Sequence, residues 1–144
     1  MSITNSPAVF FDIGDTLAKV IFTEKGDQID RLEVFEYVPD ALQRLKDNGV
    51  RLGIISNRGG ISEQNVKAAL EAAGLLSFFE SDLIIFGKKE SPEIFKKAME
   101  KAGLAGERDR SVFVGENAEE RTHASAHLRV ADDPRRALDV LQGK

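Results

Sequence analysis

Residues 9–17 read VFFDIGDTL, and this stretch decides the fold. Residues 8–11 are apolar without interruption, which is typical of a strand buried on both faces of a parallel sheet. The residues that follow this strand include several small or polar ones: Asp12, Gly14, Asp15 and Thr16. Because ligands of open α/β sheets bind beyond the carboxyl ends of the strands, these residues are candidates for a functional site.

Similar apolar runs recur along the chain and predict further strands. They lie at residues 52–55, 83–86 and 112–114, with a weaker candidate at 128–130. Between these runs, three segments end where a glycine precedes an aliphatic residue, namely at Gly49, Gly74 and Gly103. Glycine adopts the left-handed conformation that closes a helix, so we expect helices to end near residues 48, 73 and 102.

Prolines mark the starts of two of these helices. Pro39 and Pro92 fit the first-turn preference of proline, and Ser91 is predicted to supply an N-cap oxygen. A last helix is predicted over residues 134–141. The alternation of strands and helices predicts a three-layer, doubly wound α/β fold with about five parallel strands and helices on both faces. No linker or repeat interrupts residues 1–144, so we expect a single domain.

Residues 17–37 break this alternation. They contain two β-prone runs, at residues 20–22 and 32–35, and Gly26 and Asp27 lie between them. Glycine and aspartate between two such runs are typical of a turn. We therefore predict a β-hairpin that forms a flap after the first strand.

The composition excludes several classes of protein. The chain has 144 residues, 24 of them acidic and 20 basic, and a formal net charge of -4. It has no cysteine, which excludes disulfides, thiolate zinc sites and a cysteine nucleophile. The acidic balance does not favour nucleic acid or an anionic membrane as a partner. No apolar run approaches the roughly 18 residues of a membrane span, and residues 1–7 lack the features of a secretory signal, so we expect a cytoplasmic location.

The later apolar runs are also followed by residues with useful chemistry. After the second come Ser56, Asn57 and Arg58, after the third Lys88 and Lys89, and after the fourth Glu116 and Glu120. A carboxylate can coordinate Mg²⁺ or attack phosphorus, while hydroxyl and ammonium groups hold phosphoryl oxygens. Together with Asp12, the set indicates a site for a metal-bridged phosphoryl group.

Four short motifs occur in order along the chain. Residues 9–17 form an apolar strand that ends in Asp-x-x-x-Thr, and residues 54–57 read IISN. Residues 89–95 read KESPEIF, and residues 112–116, VFVGE, precede Glu120. In this order they resemble the four motifs of the haloacid dehalogenase superfamily, and together they cover nearly the whole chain. The resemblance implies a three-layer α/β fold and a magnesium-dependent phosphatase.

The resemblance also implies catalytic roles. Asp12 would be the nucleophile that forms an aspartyl-phosphate when a phosphate monoester is cleaved. Ser56 would bind a phosphoryl oxygen, and Lys89 would neutralise charge between the nucleophile and the phosphate. Asn57 and Arg58 are further candidates for substrate binding, although Arg58 could equally be a solvated side chain.

The remaining implied roles concern the metal. Mg²⁺ would be held by Asp12, the main-chain carbonyl of Gly14 and Glu116. Glu120 would position a metal-bound water or anchor the lysine, and Thr16 would orient the first loop.

Two positions depart from the family pattern. Gly14 stands where phosphatases of this family usually have a second aspartate, which protonates the leaving oxygen. Losing such a general acid costs about 10² to 10⁴ in rate. Asp15, the neighbouring acid, is a candidate substitute. Glu116 stands where aspartate is commoner, which moves the carboxylate outward by about one bond length and puts metal affinity in question.

These departures keep other hypotheses open. The chain could be a catalytically impaired member of the family that serves as a binding or regulatory module. A response-regulator receiver also uses an aspartate, a hydroxyl and a lysine, but its phosphoacceptor follows the third strand and not the first. His123 and His127, at spacing i, i+4, are predicted to be ordinary histidines on a helix surface.

The usual places for a cap domain are short in this sequence. Only a hairpin fits between the first strand and the helix near residue 39, and one helix with its connection fills residues 57–82. Members of the family without a cap tend to act on large substrates or to borrow a neighbouring subunit. We therefore expect a phosphorylated small molecule or a larger phosphorylated substrate, with a homo-oligomer as one means of closing the site.

Overall fold

The computed structural model describes residues 6–143. In chain order its strands and helices are β1 (Ala8–Phe11), β2 (Ala18–Phe22), β3 (Ile29–Val34), α1 (Val38–Asp47), β4 (Arg51–Ser56), α2 (Glu63–Ala72), β5 (Ile84–Phe86), α3 (Glu93–Lys101), β6 (Ser111–Val114), α4 (Ala118–Ala124), β7 (Arg129–Ala131) and α5 (Ala137–Leu141). Short 3₁₀ turns lie at Leu76–Phe78, Ser81–Leu83, Arg108–Arg110 and Pro134–Arg136. Most of the segment considered for a secretory signal, residues 1–5, lies outside the described residues.

Five strands form one parallel sheet in the order β5-β4-β1-β6-β7. The first strand is central, since Phe10 pairs with Gly53 of β4 on one side and with Phe113 of β6 on the other. The chain therefore builds one half of the sheet first and then crosses to the other side of β1. The crevice at the carboxyl ends beside such a crossing is the usual ligand site of a doubly wound sheet. The predicted fold class is confirmed.

Side chains of β1 alternate between two apolar cores, one on each face of the sheet. Val9 and Phe11 belong to the core under α1, α2 and α5, whereas Ala8 and Phe10 belong to the core under α3 and α4. All four side chains are fully buried. Burial of one large apolar side chain stabilises a fold by about 1.5–3 kcal/mol, so both helix layers hold the sheet.

Glycines end three of the helices. The φ angles of Gly49, Gly74 and Gly103 are 76°, 76° and 71°, in the left-handed region where a side chain is strained. The aliphatic residue after each glycine folds back on its helix; the N–H of Val50, for example, donates to the Leu45 carbonyl at 3.1 Å. The predicted ends at residues 48, 73 and 102 coincide with the observed C-cap residues.

Two predictions about helix boundaries are wrong. Ser91 does not cap α3, because the N-cap residue is Pro92 and no side chain caps this helix end. His123 and His127 do not share a helix face, because α4 ends at Ala124 and His127 lies in the turn beyond it. Within residues 6–143, no helix combines the length and the apolar character needed to cross a membrane.

The second and third strands form an antiparallel pair outside the parallel sheet. Asn65 of α2 ties this pair to the rest of the molecule through Ile29 of β3. The Asn65 Oδ1 accepts a hydrogen bond from the Ile29 N–H at 2.7 Å, and its Nδ2 donates to the Ile29 carbonyl at 3.3 Å. We call these two hydrogen bonds the Asn65 clamp. They hold β3 beside α2, near the carboxyl end of the sheet.

Gly53→Ala tests how closely β4 packs against its neighbours. A Cβ at Gly53 would lie 2.6 Å from the Leu83 carbonyl oxygen and 2.8 Å from Phe10 Cδ1, and both neighbours are buried. We expect this over-packing to lower the free energy of unfolding by about 1–3 kcal/mol in a urea titration. Gly60→Ala is the control, because a Cβ there meets no atom within 4 Å. Equal stability of the two variants would contradict the packing at Gly53.

Asp133 makes the stability depend on pH. Hydrogen bonds from the Arg135 side chain, aided by its backbone N–H, hold the pKa of Asp133 below its usual value, although partial burial opposes this shift. A lowered pKa means that the stabilisation is complete above the unfolded-state value of about 3.9 and is lost as the pH falls through the folded-state value.

In Asp133→Asn the free energy of unfolding should fall less between neutral and acid pH than it does in the wild type. Urea titrations between about pH 5 and pH 2 check it, because this range contains the transition. Asp132→Asn is the control, since this exposed neighbour should leave the pH profile of the wild type unchanged. An unchanged profile for Asp133→Asn would contradict the assignment.

Candidate active site

A cavity of about 270 Å³ opens at the carboxyl ends of β1, β4 and β5. It is lined by Asp12, Ile13, Gly14, Val20, Phe22, Ile29, Ser56, Asn57, Arg58, Ile61, Val66, Lys89 and Glu120. The polar members come from the loops and the helix that follow four strands of the parallel sheet. Because parallel strands end at the same edge, residues distant in sequence meet there. Of the predicted site residues, Asp15, Thr16 and Glu116 do not line this cavity.

Four polar residues of the cavity lining form what we call the polar floor: Asp12, Ser56, Lys89 and Glu120. Lys89 is its buried centre. Its side chain is 3% exposed, and its Nζ lies 2.8 Å from Asp12 Oδ1 and 3.0 Å from Glu120 Oε1. The same ammonium donates to the Ile55 carbonyl at 3.3 Å and stands 5.7 Å from the centre of the Phe113 ring. A buried ammonium requires partners of this kind, since desolvation without them is costly. Lys89 therefore joins the loop after β1, the end of β4 and helix α4.

The loop after β1 directs the Asp12 carboxylate. The Ile13 N–H donates to Asp12 Oδ1 at 2.9 Å, so this oxygen accepts two hydrogen bonds, the other from Lys89. No hydrogen bond from residues 6–143 reaches Oδ2, which remains available for another partner. The N–H groups of Thr16, Leu17 and Ala18 all donate to the Ile13 carbonyl, at 3.2, 2.9 and 3.3 Å. These bonds close the loop into a tight turn.

The neighbouring acid, Asp15, lies in the tight turn and does not line the cavity. Asp15 has φ 62°, in the left-handed region that aspartate tolerates better than most residues, and it is exposed. Its position outside the cavity gives no geometric support to the prediction that it substitutes as general acid. A one-residue shift within such a turn changes the direction of the side chain.

Ser56, the last residue of β4, and the two residues after it differ in what they offer. The Ser56 residue is 8% exposed, and no hydrogen bond from residues 6–143 reaches its hydroxyl, which lies at the cavity surface. The Asn57 Oδ1 accepts from the Gly59 N–H at 3.0 Å and so shapes the loop. The Arg58 Nη1 donates to the Ile61 carbonyl at 2.8 Å, whereas its buried Nε has no partner among the described residues.

The donor set predicted for Mg²⁺ consists of oxygens. Glu116 is exposed and lies beside the Asp12 loop, because its N–H donates to Thr16 Oγ1 at 3.2 Å. The preceding residue, Gly115, has room for no side chain: a Cβ there would lie 2.7 Å from the Phe113 ring and 3.7 Å from Asp12 Cβ. Residues 6–143 contain no cluster of three acidic, histidine or cysteine side chains. Mg²⁺ usually takes one or two carboxylates and keeps several waters, so a small set of oxygen donors such as the one predicted here suits its chemistry without a larger cluster.

The sequence interpretation missed the apolar side of the cavity. Five side chains form it, which we call the apolar wall: Val20, Phe22, Ile29, Ile61 and Val66. The hairpin contributes three of them, and the loop before α2 and α2 itself contribute the others. Alternation in β2 places Val20 and Phe22 on one face, and this period was a readable signal. The part of the molecule that this face of β2 contacts depends on where the hairpin folds back.

The chain is an α/β protein with a doubly wound parallel sheet, and a lysine lies between two carboxylates at the carboxyl edge of that sheet. The sequence pattern of the haloacid dehalogenase-like hydrolases matches residues 20–120, which is more than half of the chain. The chain belongs to this family of hydrolases. The match includes Ser56, Lys89 and Glu120 but begins after Asp12, so the structure supplies the place of Asp12 beside them.

Several solved structures share the fold of this chain. An uncharacterized protein from Listeria monocytogenes serotype 4b has a TM-score of 0.73 at 16% identity, over 96% of this chain and 99% of the other. A HAD-superfamily hydrolase from Ehrlichia chaffeensis has a TM-score of 0.65 at 15% identity, over 99% and 97%. At such identities the likeness shows the fold alone.

A third solved structure carries ligands. The D,D-heptose 1.7-bisphosphate phosphatase from B. bronchiseptica, complexed with magnesium and phosphate, has a TM-score of 0.62 at 12% identity, over 96% of this chain and 99% of the other. Among curated proteins, no sequence matches the chain.

Lys89→Met tests whether the lysine holds the site together. The substitution removes the cation that two carboxylates share and leaves them close to each other in a partly buried place. We expect the free energy of unfolding at neutral pH to fall by about 1–3 kcal/mol, measured by urea titration. Lys88→Met is the matched control, because the neighbouring Lys88 is exposed and should change stability little. Equal effects of the two variants would refute the central role of Lys89.

Proposed function

We propose that the protein is a magnesium-dependent phosphatase that cleaves a phosphate monoester through an aspartyl-phosphate on Asp12. One observation carries the proposal: Asp12 lines a cavity together with Ser56 and the buried Lys89, and its Oδ2 accepts no hydrogen bond from residues 6–143. An oxygen that is held in place and otherwise unengaged is suited to attack phosphorus. The membership in a family of hydrolases supports the same chemistry.

Each residue of the polar floor has a task in this reaction. Asp12 Oδ2 attacks the phosphorus atom, while the ion pair with Lys89 keeps the carboxylate oriented through Oδ1. The ammonium also offsets negative charge on the phosphoryl oxygens, and the Ser56 hydroxyl donates a hydrogen bond to one of them. Glu120 anchors the lysine. When bound by Asp12, the Gly14 carbonyl and Glu116, Mg²⁺ would supply further charge neutralisation at the phosphoryl group.

The surroundings of the cavity support an open site. The hairpin is the element between β1 and α1, and α2 with two 3₁₀ turns fills the segment between β4 and β5. We propose that this catalytic core works without a cap domain and that the hairpin acts as a flap on one side. A phosphorylated small molecule or a phosphorylated group on a larger partner can then reach Asp12.

A second candidate function is a binding or regulatory module with impaired catalysis. It is favoured by one observation: Asp12 and Glu120 are the carboxylates among residues 6–143 that line the cavity, and Glu120 is paired with Lys89. Such a module would bind phosphate or a phosphate mimic such as beryllofluoride in an Asp12-dependent manner without turnover. Turnover of any phosphate ester distinguishes the enzyme from this module.

Asp12→Asn tests the proposed nucleophile. Hydrolysis of 4-nitrophenyl phosphate with Mg²⁺ should fall by about 10³-fold or more, because an amide does not form the phosphoenzyme. Asp139→Asn, on the exposed side of α5, is the control for a lost carboxylate and should retain wild-type kcat/KM. Wild-type activity in Asp12→Asn would overturn the mechanism.

Glu116→Ala tests the metal site. We expect the Mg²⁺ concentration for half-maximal activity to rise by about 10-fold or more, since a charged ligand is lost. Glu119→Ala removes a neighbouring exposed carboxylate on α4 and should leave the Mg²⁺ titration unchanged. If the two variants titrate alike, Glu116 is not a ligand.

A further inference from the structure

Two features of the cavity bear on the leaving group of the substrate. The first is the apolar wall opposite the polar floor. Its member Phe22 is 52% exposed and is the large hydrophobic residue that stands out in this way among residues 6–143. An aromatic ring kept in water at a cavity rim gains by covering an apolar ligand. A polyhydroxylated group would instead lose hydrogen bonds against this wall.

The wall is held in place. The Asn65 clamp fixes Ile29 of the hairpin, and Val66, the next residue of α2, contributes its own side chain to the wall. Val20 and Phe22 lie on the strand paired with Ile29, so the clamp positions them as well. An apolar surface held in this way binds without a large ordering cost.

The second feature is that, among residues 6–143, no side chain that lines the cavity is free to act as a general acid for the leaving group. Of the residues between 6 and 143, the carboxylates that line the cavity are Asp12, the proposed nucleophile, and Glu120, which is 3.0 Å from Lys89. No histidine, tyrosine or cysteine in this range lines it. Asp15 is exposed outside it, and Gly14 has no side chain. The Lys89 ammonium also lines the cavity, but its Nζ is already engaged by Asp12 Oδ1, Glu120 Oε1 and the Ile55 carbonyl. A leaving group therefore departs without a proton from a side chain placed for that purpose.

We infer that the preferred substrate is an aryl phosphate, an ester of phosphate with a phenolic oxygen; this inference rests on the proposed phosphatase function. A bond forms between Asp12 Oδ2 and phosphorus, and the bond from phosphorus to the phenolic oxygen breaks with its electron pair on that oxygen. A phenolate leaves readily, since its conjugate acid has a pKa of about 10, well below the pKa of water and of alkanols. The phenolate then takes a proton from solvent.

The second half-reaction needs no further reagent than water. The water oxygen bonds to phosphorus, the bond between phosphorus and Asp12 breaks, and the electron pair returns to the carboxylate. One proton of the water passes to solvent, and inorganic phosphate is released. The aromatic ring of the substrate meanwhile lies against the apolar wall. This contact favours an aryl ester over a small acyl phosphate, even though the carboxylate of the acyl phosphate is the better leaving group.

The first experiment compares kcat/KM for four substrates with Mg²⁺: phenyl phosphate, cyclohexyl phosphate, glucose 6-phosphate and acetyl phosphate. Phenyl phosphate should exceed cyclohexyl phosphate, which has a similar shape, by about 10² to 10⁴, the usual worth of a general acid. It should exceed the other two as well. A higher kcat/KM for cyclohexyl phosphate or glucose 6-phosphate than for phenyl phosphate overturns the inference. The proposed phosphatase function would still hold. No turnover of any of the four, with no Asp12-dependent trapping of beryllofluoride, overturns both.

Gly14→Asp tests the missing proton donor directly. A Cβ at Gly14 would meet Val20 Cγ2 at 3.6 Å, an ordinary contact, so a β-carbon fits at this position. The new acid should narrow the preference for phenyl over cyclohexyl phosphate by about 10-fold or more. Gly14→Asn has the same shape without the proton and should keep the wild-type preference. An equal preference in Gly14→Asp and Gly14→Asn overturns the argument from the missing acid.

Phe22→Ala tests the apolar wall. The KM for phenyl phosphate should rise by about 10-fold, while the KM for acetyl phosphate should stay within about twofold, since acetyl phosphate has no ring to cover. Lys19→Ala, an exposed change on the same strand that does not line the cavity, is the control for disturbance of the hairpin. A parallel rise of KM for both substrates, or none for phenyl phosphate, overturns the role of the wall.

Discussion

The buried ammonium of Lys89 is the interaction on which the site depends. It lies between two carboxylates, 2.8 Å from Asp12 and 3.0 Å from Glu120, and these come from opposite halves of the chain. A charge so far from water is stable only with such partners, and the carboxylates repel each other without the cation. The same ammonium stands over the Phe113 ring of the core. The polar floor is therefore built directly on the packing of the sheet.

The loop after β6 approaches the loop after β1 closely, and this approach allows the residues of the site to meet. Gly115, after β6, sits against the Phe113 ring and beside Asp12, where a side chain has no room. This approach lets the Glu116 N–H reach Thr16 Oγ1 and ties the loop after β6 to the loop after β1. The loops at the carboxyl edge thus support one another, and the Asp12 carboxylate inherits their rigidity. On the other side, the Asn65 clamp gives the hairpin a fixed place over the cavity.

Much of the fold was predictable because its causes are local. Apolar runs marked four of the parallel strands and, more weakly, the fifth, and glycines with left-handed backbone marked three helix ends. The cap of α3 was not predictable in the same way, since Ser91 and Pro92 are both acceptable at a helix start and their neighbours decide between them. The helix predicted to carry both His123 and His127 ends at Ala124, so His127 lies in the turn beyond it.

The sequence by itself determined which residues meet: Asp12, Lys89 and Glu120 follow strands, Ser56 ends one, and parallel strands end at one edge. It also placed Gly14 where the family usually has an acid. Only the tertiary structure decided that Asp15 lies outside the cavity and that the hairpin, α2 and the loop before it form an apolar wall beside Asp12. The direction of a side chain in a tight turn and the docking of a hairpin depend on contacts between segments far apart in the chain, which local sequence patterns do not encode.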